Sequence, residues 1–94
     1  MGEQLIPVLV MFKGALAGNR WPLTDPSLTM GRSEDCEIVI PERQISRYHA
    51  RVERDSNGYV FRDLGSKNGS SVNGVPVKID PVYLQDGDKI VLAD

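Results

Sequence analysis

Apolar residues in this chain come in short runs cut by turn-formers, and nowhere do they recur at helical spacing over a helix-length window. Pro7 to Lys13 is a β-rich apolar run, and Gly14 to Asn19 reads as a turn. Arg20 to Thr24 then returns as a hairpin partner with Trp21 half buried, before Asp25-Pro26 breaks it. Leu28 to Met30 leads into Gly31-Arg32, and Cys36 to Ile40 is a further strand ending at Pro41. Pro41 to Ser46 shows no period and is expected to be a surface loop. His49 to Arg54 alternates, with Ala50 and Val52 pointing inward, and Tyr59 to Asp63 returns after Asn57-Gly58, so 49 to 63 reads as a β-hairpin. Asn73-Gly74, between Val72 and Val75, has the chemistry of a type I′ tip, because Asn and Gly accept positive φ at the lowest steric cost. Val82 to Leu84, a turn at Asp86-Gly87, and Lys89 to Leu92 finish the pattern. Many short strands divided by turns predict an all-β sandwich or barrel.

Composition narrows this. Ninety-four residues suffice for a single domain, 1–94, with one modest core. Hydrophobic content of 40% with 26% charged excludes a disordered tail, and no apolar run approaches a membrane helix. The first residues lack the basic start of a secretory signal, which leaves a cytoplasmic or nuclear setting as the expectation. Cys36 is the sole cysteine and His49 the sole histidine, too few for a usual zinc site. Cys36 is expected to be a small buried hydrophobe. A formal charge of -2 gives no general attraction to nucleic acid, and Trp21 and the tyrosines do not cluster into a stacking platform. Any anion site must be local.

One local set has that character. Gly65 to Gly74 (G-S-K-N-G-S-S-V-N-G) holds two Asn-Gly pairs, the first reading as a shaped loop that presents amides. Arg32, Ser46-Arg47 and Lys67-Asn68 fall in three different strand-to-strand loops, which gather at one end of a sandwich. Guanidinium forks, an ammonium, a hydroxyl and a carboxamide together suit a dianionic phosphate on a peptide, with Asn68 able to pair with the peptide backbone. Ser46 and His49 also raise nucleophilic catalysis. However, no strand-turn-helix elbow surrounds Ser46, and residues three apart on a strand face opposite ways, so no enzyme is expected.

Gly31-Arg32, Ser46-Arg47-Tyr48-His49, Asn68-Gly69 and Asn73-Gly74, in this order, resemble the forkhead-associated (FHA) domain family. Asp63 to Gly74 is similar to its signature throughout. The resemblance implies a β-sandwich of about ten to eleven short strands with ligand loops at one end. It implies a module binding phosphothreonine-containing partners, the products of a Ser/Thr kinase, without a cofactor or metal. Carried over, Arg32, Ser46, Arg47, Lys67 and Asn68 would contact the phosphopeptide. Gly31, His49, Gly69, Asn73 and Gly74 would support the loops, with His49 bonding to them rather than to phosphate. Ser70 stands where the family commonly has Thr and keeps the hydroxyl. The chain stops at Asp94, where the family pattern continues into one further strand, so a fragment of a longer protein is expected, with an uncovered edge on the first strand. The competing reading is a phosphate-independent interaction or dimerisation domain using an outer sheet face.

Overall fold

A computed structural model describes residues 6–14 and 16–93. Ten strands follow in order: β1 (Val8–Val10), β2 (Arg20–Pro22), β3 (Ser27–Gly31), β4 (Ile38–Val39), β5 (Ala50–Asp55), β6 (Gly58–Asp63), β7 (Ser70–Val72), β8 (Val75–Pro76), β9 (Val82–Tyr83) and β10 (Ile90–Leu92). They form a five-stranded sheet, β4-β3-β5-β6-β9, a three-stranded sheet, β10-β7-β8, and the pair β1-β2. The all-β expectation holds. Several strands are shorter than the apolar runs suggest, since Pro7 to Lys13 contributes only Val8–Val10 and Cys36 to Ile40 only Ile38–Val39.

The long hairpin β5-β6 is the frame. Its register pairs Val52 with Phe61 and Ala50 with Asp63. Alternation sends Ala50, Val52 and Phe61 inward, where they pack with Leu28 and Met30 of β3, Ile38 of β4 and Val72 of β7. Burying side chains of this size contributes roughly 1.5 to 3 kcal/mol each. Arg51, Glu53 and Arg62 lie on the outer face, where Glu53 receives Arg62 at 3.1 Å and Arg51 at 3.6 Å. Half-exposed pairs of this kind add little.

Two turns show how Asn-Gly chemistry works out. Asn73 (φ 52°) and Gly74 (φ 82°) are both left-handed, as a type I′ tip requires, and Val72 faces Val75 across them. At the other hairpin the turn is displaced by one residue. Asp55 pairs with Gly58, Ser56-Asn57 form the loop, and only Gly58 has positive φ, at 143°. Asp55 causes the shift, its Oδ1 accepting the N–H of Asn57 at 2.7 Å and of Gly58 at 3.0 Å.

The segment Pro41 to Ser46 departs from expectation. It is a loop, but Ile45 is buried at 5% exposure and belongs to the core. One apolar residue among polar neighbours has no period to betray it, yet its burial pins the loop to the scaffold. Among the described residues β1 pairs with β2 alone, and β3 with β4 is the one parallel pairing. The chain therefore leaves β3, projects as residues 32–37 at one end of the sheet, and returns beside Met30 and Gly31.

Candidate functional site

Three loops meet at that end: 32–37 after β3, 40–49 before β5, and 64–69 after β6. The middle loop is the anchor. Arg32 donates Nε–H to the Ile45 carbonyl at 3.0 Å, and Asn68 donates Nδ2–H to the Gln44 carbonyl at 2.8 Å. Ser46 Oγ accepts the Lys67 backbone N–H at 3.0 Å. The guanidinium, carboxamide and hydroxyl are thus held by three consecutive residues, 44, 45 and 46. Consecutive Cα atoms lie about 3.8 Å apart, so the three side chains are tied to one short stretch of the middle loop.

Each bond also decides what is left to offer. Arg32 keeps both terminal nitrogens, with four N–H donors, because only Nε is engaged. Ser46, accepting from Lys67, keeps its own O–H to donate. Asn68 keeps Oδ1 and a second N–H, enough for a peptide C=O and N–H together. Arg47 and Lys67 are exposed, and no other described residue engages their side chains. The three loops together carry three cations, a hydroxyl donor and an amide with one N–H and its oxygen unspent.

Support comes from backbone contacts and one imidazole. Arg32 N–H donates to Ser46 O, and Ser33 N–H to Arg47 O, each at 3.0 Å. The Arg47 carbonyl also takes Cys36 Sγ–H at 3.3 Å. Cys36 is buried, as expected, and burial pushes its thiol up from the ordinary range. His49 is fully buried and bridges the two loops. Its Nδ1 accepts the Ser46 backbone N–H at 3.1 Å, which fixes the tautomer, so Nε2–H donates to Gly69 O at 2.7 Å. The ring thus takes the amide of Ser46 and not its hydroxyl. Gly31 and Gly69 sit within this frame. Asn73 and Gly74 lie beyond β7, where Asn73 donates to Asp88 at 2.9 Å and accepts the Lys89 N–H at 2.9 Å, shaping the turn before β10.

Sequence reasoning assigned no role to Gln44, Ile45, Asp63 or Ser66. Gln44 and Ile45 act through carbonyls, which no side-chain pattern announces. Asp63 and Ser66 did carry a signal: a carboxylate three residues before a hydroxyl is spaced to accept that residue's N–H. Asp63 does so at 2.9 Å. Burial pulls its pKa upward, but hydrogen bonds from Ser70 and Ser66 outweigh this and hold it below the ordinary 3.8. Asp55, receiving Tyr83 Oη–H, and Asp88, receiving the Gln85 N–H, are lowered too. Groups depressed on folding stabilise above their unfolded value and lose that contribution as pH falls through the folded one. The melting temperature is therefore expected to drop steadily below pH 3.8. A flat acid profile there would contradict the assignment.

Comparison with known proteins places this geometry. The chain is 35% identical over 83 residues to the glycogen accumulation regulator GarA of Mycolicibacterium smegmatis, covering 88% of this chain and 51% of that protein. It thus spans about half the length of that relative. Among solved structures, one described as a structural and functional analysis of phosphothreonine-dependent FHA domain interactions superposes with a TM-score of 0.83 at 31% identity, covering 95% of this chain and 88% of the other. Mycobacterium tuberculosis EmbR, in complex with a low affinity phosphopeptide, gives a TM-score of 0.85 at 31% identity, over 99% of this chain and 24% of that one. The FHA domain family model matches residues 28–93, and with the three-loop rim described above the chain belongs to the FHA domain family.

Proposed function

We propose that this domain binds phosphothreonine-containing partner proteins through the rim formed by Arg32, Ser46, Arg47, Lys67 and Asn68. The observation that carries the reading is the anchoring of Arg32, Asn68 and Ser46 on residues 44, 45 and 46, with their remaining donors unspent. Phosphate oxygens take the guanidinium, the hydroxyl and the charge of Arg47 and Lys67. The Asn68 amide pairs with the peptide backbone and sets its direction. Holding these groups in place beforehand reduces the ordering cost of binding. The phosphothreonine-dependent interactions of one solved relative and the phosphopeptide on another support this assignment.

The role is binding rather than catalysis: His49 is engaged by backbone on both ring nitrogens and does not serve Ser46 as a base. The partner is a product of a Ser/Thr kinase, which fits a cytoplasmic setting. No helix among the described residues is long and apolar enough to cross a membrane. Titration with a phosphothreonine peptide and its unphosphorylated twin tests the reading. The phosphorylated form is expected to bind more than tenfold tighter, about 1.4 kcal/mol or more. Arg32→Ala should weaken it by roughly 10- to 150-fold, the loss of a charge-assisted bond of about 1.5 to 3 kcal/mol. Ser46→Ala should cost about 1 kcal/mol. Equal binding of the two peptides would leave the phosphate-independent alternative standing instead.

A further inference from the structure

We propose that Asp63 is a positioning residue for ligand capture, its carboxylate folding the 64–69 loop so that Asn68 meets the peptide. This rests on the reading above that Asn68 contacts the ligand. Asp63 closes β6 with its side chain only 10% exposed. Both oxygens are taken up from the loop and its exit. Oδ1 accepts the hydroxyls of Ser66 at 2.7 Å and Ser70 at 2.6 Å, and Oδ2 accepts the Ser66 N–H at 2.9 Å. Ser66 Oγ in turn accepts the Gly69 N–H at 2.9 Å. The bonds thus grip the chain on either side of Lys67-Asn68 without touching either residue.

Packing does not supply this shape. Gly65, Lys67 and Asn68 are exposed, and the buried core draws no residue from 64–69. Asn68 has one bond of its own, to the Gln44 carbonyl, so its position depends on backbone that the carboxylate holds. An amide cannot stand in. If the oxygen of an asparagine kept the two hydroxyls, its NH2 would face the Ser66 N–H, donor against donor. Two ionised acceptor oxygens are what the loop requires, and charge-assisted bonds of this kind are the stronger class.

A double-mutant cycle tests the idea, because a residue acting through Asn68 has no further effect once Asn68 is truncated. Phosphothreonine-peptide affinity is measured for the wild type, Asp63→Asn, Asn68→Ala and the double variant, below each melting temperature. Asp63→Asn is expected to weaken binding roughly tenfold in the wild type and hardly at all in the Asn68→Ala background. Combined with Arg32→Ala, its effect should add. In the free protein, amide exchange at Ser66 and Gly69 should quicken while the β5-β6 amides stay protected. An equal loss of affinity in the Asn68→Ala background, or loop amides still protected in Asp63→Asn, would overturn the proposal. If Asp63→Asn does not fold, Ser66→Ala carries the same cycle, since it removes the Gly69 link and spares Ser70. A wild type that ignores the phosphopeptide sinks the functional reading alone, for the exchange measurement still decides what Asp63 does.

Discussion

His49→Ala is expected to lower stability by about 3 to 4 kcal/mol, a large share of the roughly 5 to 15 kcal/mol that holds a domain of this kind together. The ring is fully buried, so its removal leaves a cavity. The second component is the Ser46 N–H, which loses its only described acceptor when Nδ1 goes. Gly69 O is less affected because it also accepts the Ala93 N–H at 2.8 Å. For a domain of this length the shift corresponds to a melting temperature roughly 15 to 25 °C lower. Phosphopeptide affinity measured at low temperature, on protein still folded, should fall by less than stability does, since the imidazole itself offers nothing to the ligand. A thermal melt matching the wild type would show that the bridge between the two loops is not what holds them.

Gly31→Ala is expected to cost about 3 kcal/mol, for a different reason. Gly31 has no positive φ to require a glycine. Its constraint is space: a Cβ would stand 2.2 Å from the Arg47 carbonyl oxygen, 2.8 Å from the Arg47 carbonyl carbon and 3.0 Å from the His49 nitrogen. All three are backbone atoms of the loop that carries Ser46, and none can rotate away. That carbonyl must stay close, because it accepts the Ser33 N–H at 3.0 Å and Cys36 Sγ–H at 3.3 Å. Displacing it pulls Ile45 and Gln44, whose carbonyls hold Arg32 and Asn68, out of place, so affinity should fall with stability. Circular dichroism melts with parallel peptide titration check both effects, and a variant as stable and as tight-binding as the parent would show that the loop can yield.

Alternation alone carried the first strand of the long hairpin: His-Ala-Arg-Val-Glu-Arg placed Ala50 and Val52 inside, and the structure agrees. It misled in one place. Alternation puts His49 on the face of Arg51 and Glu53, yet His49 is fully buried because β5 begins at Ala50 and the flanking loops close over the ring. The turn at Asn57-Gly58 was legible as a hairpin but not to the residue, since Asp55 captures two amides and moves the tip. For the candidate site, the residue types, their motif order and the bonding of His49 to the loops were readable, while the carbonyls that anchor Arg32 and Asn68 were not. Asp63 and Ser66 stood in plain view within the signature, and only hydrogen-bond geometry gives them work to do.

The amino-acid order by itself determined the β character, the turn positions and which polar residues come to the loops, because each depends on local backbone preference and on side-chain period. The convergence of Arg32, Ser46 and Asn68 was decided by tertiary structure. It depends on the buried Ile45, on the Gln44 and Ile45 carbonyls and on the Gly31 contact with Arg47. Every residue carries the same carbonyl, so which one accepts from a distant side chain is settled only when the sheets pack and bring the loops to a common end.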